Sequence, residues 1–449
     1  MKKRHNLLTI TFLCIGSLLF AQEVTHVKAE ILTDLHKLKT ELERYHPNLY
    51  SYSSKAEIDQ WFSDKIQQLP NNLSELEAYQ LISSISSLLR DGHSYIYPNA
   101  QHLKKLLRSA PIFPLEVFLT YDSLVVVENY SQNSSLPLGA VLTKINGIDS
   151  KEIQSIIVQH SSRDGDNMEY PKYIFYKFFA SFYSYHYGFP KNFTVEYLNH
   201  EGQRKETILK ALTREEIELK KPTKEEKGID LQCLKNTQAA VLKIKSFDKE
   251  VLKKTYQQNF KKEIKKVFKL LEEKQIKQLA IDLRGNQGGD LSNGVFLLRH
   301  FMDSSFQCVN SFYTKKGKKR KKLSSKWDNY FAPKKKYHFN EEVYLFVNGG
   351  SFSCSAIFAH TVKKCKRGKI LGKMSGGSAY LNTGGPNKVL ILPETKISFT
   401  IPKTQYNLRK DRLEMGLGVI PDINIQDHPN RIIYKDDNYL KTFKHLIKE

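Results

Sequence analysis

Three serines alternate with other residues in Asn348-Gly349-Gly350-Ser351-Phe352-Ser353-Cys354-Ser355. The cluster follows the apolar run Val343 to Val347, which reads as a buried strand, and precedes the helical pattern Ile357-Phe358 to Val362. A serine at such a strand–turn–helix junction can be held exposed above a sheet, beside helix N-terminal amides that stabilise an oxyanion. Ser353 is read as a nucleophile on this basis, although serines at this place also serve simply as helix caps. A serine nucleophile needs a base at neutral pH. His360 lies two turns along the same helix, roughly 10 Å away by the helical rise, too far to take the proton. His93, in Arg90-Asp91-Gly92-His93-Ser94, sits where a helix stops and the chain turns, so its side chain can enter a cleft; His186, among Tyr183, Tyr185 and Tyr187, is the runner-up. A carboxylate that orients the imidazole is offered by Glu414, just before a glycine-rich turn, with Asp411 as the nearby alternative. The turn Arg284-Gly285-Asn286-Gln287-Gly288-Gly289 lets backbone N–H groups approach a substrate oxygen closely. The dinucleotide fingerprint and the P-loop lysine are both missing from it.

The elements that must position these residues fall into regions. Residues 22–109 read as helical, with three-four spacing in Ala29-Ile31-Leu32-Leu35-Leu38 and in Ala78-Leu81-Ile82-Ile85-Leu88-Leu89. The second helix is expected to end at Gly92 as a C-cap, with a short strand at Tyr95-Ile96-Tyr97. Residues 110–219 read as a β-rich module: strands at Phe113–Leu119, Ser123–Val127 and Asn192–Tyr197, a turn at Asn146-Gly147, and a helix opening at Lys151. Residues 220–228 are polar and charged, a linker composition. From there to residue 449 strands and helices alternate, which predicts an α/β domain with a mostly parallel sheet.

Bulk properties bound the function classes. The chain has 449 residues, ample for more than one core. Residues 1–21 read as a signal peptide: Lys2-Lys3-Arg4, an apolar run from Leu7 to Phe20 that is short for a bilayer span, and a cleavage point after Ala21. Leu13 rather than a small residue precedes Cys14, which disfavours lipidation. Loss of this segment lowers the formal charge by three, from +23 to +20. Lysine and arginine crowd into 315–336, which suits solvated loops or peripheral contact with an anionic membrane or polymer. No nucleic-acid-binding motif accompanies the charge. Cys233, Cys308, Cys354 and Cys365 are too scattered for a disulfide framework, and no metal-ligand spacing occurs; no cofactor is expected.

Four patterns follow in one order: Asp91-Gly92-His93-Ser94, the stretch from Ile281 to Gly289, the stretch from Asn348 to Ala359, and the stretch from Leu413 to Asp422. With the Gly139-Ala140-Val141-Leu142 … Ile145-Asn146-Gly147 pattern, which resembles a PDZ domain, they resemble the tail-specific, or C-terminal processing, serine peptidases. That family also includes the tricorn core peptidase and the retinoid-binding repeats of the photoreceptor matrix. The resemblance implies a crotonase-like ββα spiral core and hydrolysis of peptide bonds, often near a substrate C-terminus. It places the nucleophile on Ser353 and the oxyanion amides on Cys354 and Gly288. Of the family's two catalytic schemes, the lysine of one falls on Ser378, while Lys373 stands nearby in place of a usual acidic residue. The other, tricorn-like scheme falls on His93 and Glu414. Ala356 replaces an acid common three residues after the nucleophile. The resulting reading is an exported, periplasmic or envelope-associated serine endopeptidase acting on polypeptides through Ser353, His93 and Glu414. Its alternative is an inactive binder of peptides or apolar ligands on the same fold.

Overall fold

The computed structural model describes residues 24–448 except 102, 104–108, 122, 222–225, 318, 325, 327–328 and 410–415. The signal-peptide reading, Asp411 and Glu414 therefore lie outside the described residues.

The centre is a mixed six-stranded sheet. Ala239–Ile244, Gln278–Asp282, Glu342–Val347, Lys369–Gly372 and Ile423–Asn424 run parallel, side by side in chain order. Ile229–Cys233 closes one edge antiparallel. The period of two in each strand divides the side chains between two faces. Leu242, Ile281, Leu345 and Ile370 point into a core filled by the helices Phe260–Glu273, Leu291–Leu298 and Cys354–Lys364. Ala280, Tyr344, Phe346 and Leu371 face the other way, onto Tyr439 and Phe443 of the helix Asn438–Leu446. The structure thus has the predicted alternation of strands and helices in a mostly parallel sheet. Strands added in order, with adjacent neighbours, also bring the turns after Gln278–Asp282 and Glu342–Val347 to one end of the sheet, the end where α/β proteins bind ligands.

An antiparallel sheet was not foreseen. It joins Ser311–Lys316, Lys319–Leu323, Ser398–Asn407 and Leu381–Ile391, with Ile96–Tyr97 paired to Ser398 and Phe399. The lysine-rich run beginning at Lys315, expected as a solvated loop, lies largely in the hairpin Ser311–Lys316/Lys319–Leu323. The physical reason is that one face of this pair, through Phe312 and Leu323, packs against the central core while the lysines keep their charges in water.

The N-terminal helices are Lys28–Tyr45, Lys55–Gln67, Glu75–Ser83 and Ser86–Leu89. The expected Gly92 cap is corrected: Arg90 takes the left-handed cap conformation (φ 47°, ψ 38°). Gly92 is needed for space instead. A Cβ there would stand 2.6 Å from the Phe352 ring and 2.7 Å from Asp164 Oδ1.

Residues 115–210 form an antiparallel sheet in the order Leu115–Thr120, Ser123–Asn129, Val141–Ile145, Asn192–Leu198, Arg204–Lys210. Asn146 (φ 50°) and Gly147 (φ 79°) make the predicted tight turn. Three helices pack on it: Ser150–Gln159, Glu169–Lys177 and Phe179–Tyr187. The last two were not predicted. Phe175, Phe179 and Tyr183 repeat at helical spacing and are buried, but aromatic residues favour strands when seen alone.

Candidate active site

The Asn348–Ser353 turn is built from its own side chains. Asn348 Oδ1 accepts the N–H groups of Gly285 and Gly350, each at 3.0 Å, so one side chain ties the two turns together. Ser351 Oγ donates to Leu283 O at 2.8 Å and accepts from Asn348 N–H at 3.1 Å. Ser355 is fully buried. Of the three serines, Ser353 alone borders an open cleft. It precedes the helix Cys354–Lys364 and makes no side-chain cap bond, so the simple capping role does not describe it. Its backbone (φ 52°, ψ −121°) is one that L-residues rarely adopt, at a cost of order 1–3 kcal/mol, and such strain concentrates at functional positions.

His93 comes from the far end of the chain. Tyr95 O accepts from Thr400 N–H at 2.8 Å, and Ile96–Tyr97 joins the antiparallel sheet, which carries the preceding turn over the central sheet. His93 Nε2 lies 3.0 Å from Ser353 Oγ. The ring packs on Phe352 at 4.8 Å between centroids, and Phe352 stacks on Tyr170 at 3.9 Å. Burial lowers the pKa of His93 and nearby Asp91 offsets part of that, so the imidazole is neutral near pH 7. Its other nitrogen, Nδ1, is buried and has no hydrogen-bond partner among the described residues. The chain is described again from Gly416, which packs against Gly165, and Gly165 N–H donates to Arg90 O at 2.8 Å. Residue 416 is thus beside the turn that carries His93.

Asp91 shapes that turn. Its Oδ1 accepts from His93 N–H at 2.9 Å, Ser94 Oγ at 3.1 Å and Thr383 Oγ1 at 3.1 Å. His46 Nε2 stands 3.5 Å from Oδ2. Burial opposes the charge of Asp91, yet His46 and these donors hold its pKa below the ordinary value. Asp164, which no sequence pattern had marked, accepts from Gly92 N–H at 2.9 Å and Ser378 N–H at 3.0 Å. Burial, with Asp91 nearby, raises it to about 7.

Across the cleft, Gly288 packs so closely on the nucleophile turn that a Cβ would be 2.8 Å from Ser353 Cβ and from Cys354 N. The Gly288 N–H already donates to Asn286 Oδ1 at 2.9 Å. Gly289 lines the cleft as well. Cys354 N–H opens its helix, where first-turn amides have no intrahelical acceptor. The Cys354 thiol is buried, donates to Asp290 O at 3.6 Å, and burial pushes its pKa far up. Ser378 is fully buried and its Oγ accepts from Tyr380 and Leu381 N–H, while Lys373 lines a separate cavity with Glu169 and Asp427. Ala356 is buried against Gly377, whose Cβ would stand 2.7 Å from it. His186 packs against Tyr79 and His160, away from the cleft.

Residues 238–425 match the model of peptidase family S41. That stretch contains Gly288, Ser353 and Cys354 and lies wholly after His93. Probable CtpA-like serine proteases of Staphylococcus saprophyticus and Staphylococcus aureus are each 26% identical over 181 residues, covering 38% of this chain and 34% of theirs. The chain thus matches about a third of the length of these curated relatives. Two structures of CPAF share the mixed α/β fold: the mature form (TM-score 0.68, 94% of this chain and 97% of that one) and a mutant (TM-score 0.71, 94% and 98%), each at 13% identity. The similarity to S41 peptidases thus covers the stretch from 238 to 425, less than half of the chain.

Proposed function

We propose that this protein is an exported serine endopeptidase that hydrolyses peptide bonds of polypeptides through Ser353, His93 and Glu414, in the tricorn-like variant of its family's chemistry. The observation that carries the reading is the 3.0 Å approach of His93 Nε2 to Ser353 Oγ across 260 residues of sequence, with the ring kept neutral by burial. Ser353 Oγ attacks the scissile carbonyl carbon while His93 Nε2 takes its proton. The tetrahedral oxyanion is held by Cys354 N–H and by the Gly288–Gly289 turn opposite. Collapse of this intermediate breaks the C–N bond, and His93 returns the proton to the leaving amine. Water then hydrolyses the acyl-enzyme by the same route. Glu414 is assigned to His93 Nδ1, the buried nitrogen without a partner among the described residues. Gly416 beside Gly165 supports this, since two residues span at most about 7 Å. The core is read as a crotonase-like spiral and residues 110–219 as a PDZ-like module. The exposed lysines of Lys319–Leu323 suit peripheral contact with an anionic envelope surface.

Turnover of unfolded polypeptide by Ser353→Ala and His93→Ala tests the reading. Each should lose roughly 10⁴-fold or more. Wild-type turnover by Ser353→Ala would overturn it.

A further inference from the structure

The cleft at Ser353 has a volume of about 550 Å³, and a second cavity beside it measures about 320 Å³. Tyr95 and Gln287 line both the cleft and this neighbour. Gln287 directly precedes Gly288, which touches Ser353, and consecutive Cα atoms are about 3.8 Å apart. Tyr170 Oη donates to Gln287 Oε1 at 3.1 Å and fixes it at this border. The neighbour is therefore within one side chain's reach of the reacting bond. The larger cavity lined by Lys172, Lys373 and Asp427 shares no residue with the cleft.

The second cavity is walled by Tyr79, Tyr95, Tyr97, Phe182 and Tyr185. Its serines and its histidine are hydrogen-bonded elsewhere. Ser161 Oγ donates to Ile157 O at 2.7 Å and Ser162 Oγ to Ser94 O at 2.6 Å. Ser181 Oγ accepts from Arg214 Nη2 at 2.6 Å, and His160 Nδ1 lies 3.1 Å from Ser83 Oγ. Burial, with His186 and Lys65 nearby, lowers His160 to about 3, so its ring is neutral. Among the described residues, no Asp, Glu, Lys or Arg lines the cavity. A charged group entering it would be desolvated without a partner, whereas an apolar one gains burial against aromatic faces. The volume is near the low end for ligand pockets, about 300 Å³, a size for one side chain rather than a length of chain.

We propose that this cavity is the specificity pocket of the Ser353 cleft and receives one uncharged aromatic or large aliphatic side chain of the polypeptide bound there. Its use in proteolysis rests on the peptidase reading; its binding preference does not.

The test uses the full mature chain carrying Ser353→Ala and fluorescent Gly-Ser octapeptides that differ in one residue: Phe, Leu, Asp or Lys. Anisotropy titration should show the Phe and Leu peptides bound at least about tenfold more tightly than the Asp and Lys peptides, the scale of one well-placed apolar contact. Phe178, at the rim and 42% exposed, can be changed without opening a core. Adding Phe178→Glu should raise the affinity for the Lys peptide relative to the Asp peptide by about tenfold, and adding Tyr97→Ala should weaken the Phe peptide. Equal affinities for the four peptides, or a preference that neither change moves, overturns the pocket. Cleavage of the same peptides by the unaltered protein reads the chemistry separately. Selective binding without cleavage overturns the peptidase reading and leaves the pocket standing; cleavage without preference overturns the pocket alone.

Discussion

Asp164→Asn should flatten the pH dependence of stability in a defined window. The Asp164 carboxylate is buried and bridges Gly92 N–H, beside His93, to Ser378 N–H, beside Gly377. Its pKa is raised to about 7, by burial first and by Asp91 second. In the unfolded chain it returns to about 4. Between these values the folded protein holds a proton that the unfolded chain has lost. The contribution of this group to stability is therefore complete below about pH 4, falls as pH rises, and levels off above about pH 7. The change across the window is on the order of 4 kcal/mol, from 1.36 kcal/mol per tenfold in the proton equilibrium. Asparagine has the same shape but no titration. It keeps one acceptor and turns an NH₂ toward the second N–H, at about 1–3 kcal/mol. The variant should thus be less stable than the parent at pH 4.5, with the gap closing or reversing by pH 8. Urea unfolding followed by far-ultraviolet circular dichroism at several pH values measures both curves. Parallel curves from pH 4 to 8 would refute the reasoning.

Two other substitutions probe the neighbourhood. Gly92→Ala puts a methyl group 2.6 Å from the Phe352 ring that supports His93; it should cost about 1–3 kcal/mol in an unfolding titration and about 10²-fold in kcat/KM, and an unchanged kcat/KM would contradict this. Cys354→Ala should keep turnover within about tenfold, because the amide rather than the buried thiol is assigned a role, and iodoacetamide should leave Cys354 of the native protein unlabelled in peptide maps; complete loss of turnover in a folded Cys354→Ala protein would count against that assignment.

Much of the central sheet was legible because its strands are continuous apolar runs bounded by glycine turns, and because Phe260–Glu273 has a strong helical period. Ser353 and His93 were legible through their settings, a strand–turn–helix junction and a helix stop. Their meeting was expected only through the family resemblance, since no residue pattern shows the pairing of Ile96–Tyr97 with Ser398–Phe399 that carries His93 over the sheet. That sheet was missed because Leu381–Ile391 contains Gly384, Gly385 and Pro386, residues that read as breakers, and its register shifts between Gly384 and Asn387. Asp164 left no signal, because a lone aspartate reads as exposed until its two backbone donors are in place. Gly92 was noticed for the wrong reason: its value is the missing Cβ, a property of tertiary packing.

The central claim concerns one oxygen atom and one nitrogen atom. A fluorophosphonate probe reacts with a serine only where a base and an oxyanion site act on it together. Incubation with the protein, followed by peptide mapping by mass spectrometry, should place the adduct on Ser353, and His93→Ala should abolish it while circular dichroism shows the fold retained. No adduct on Ser353 in the folded protein, or equal labelling with and without His93, would contradict the account.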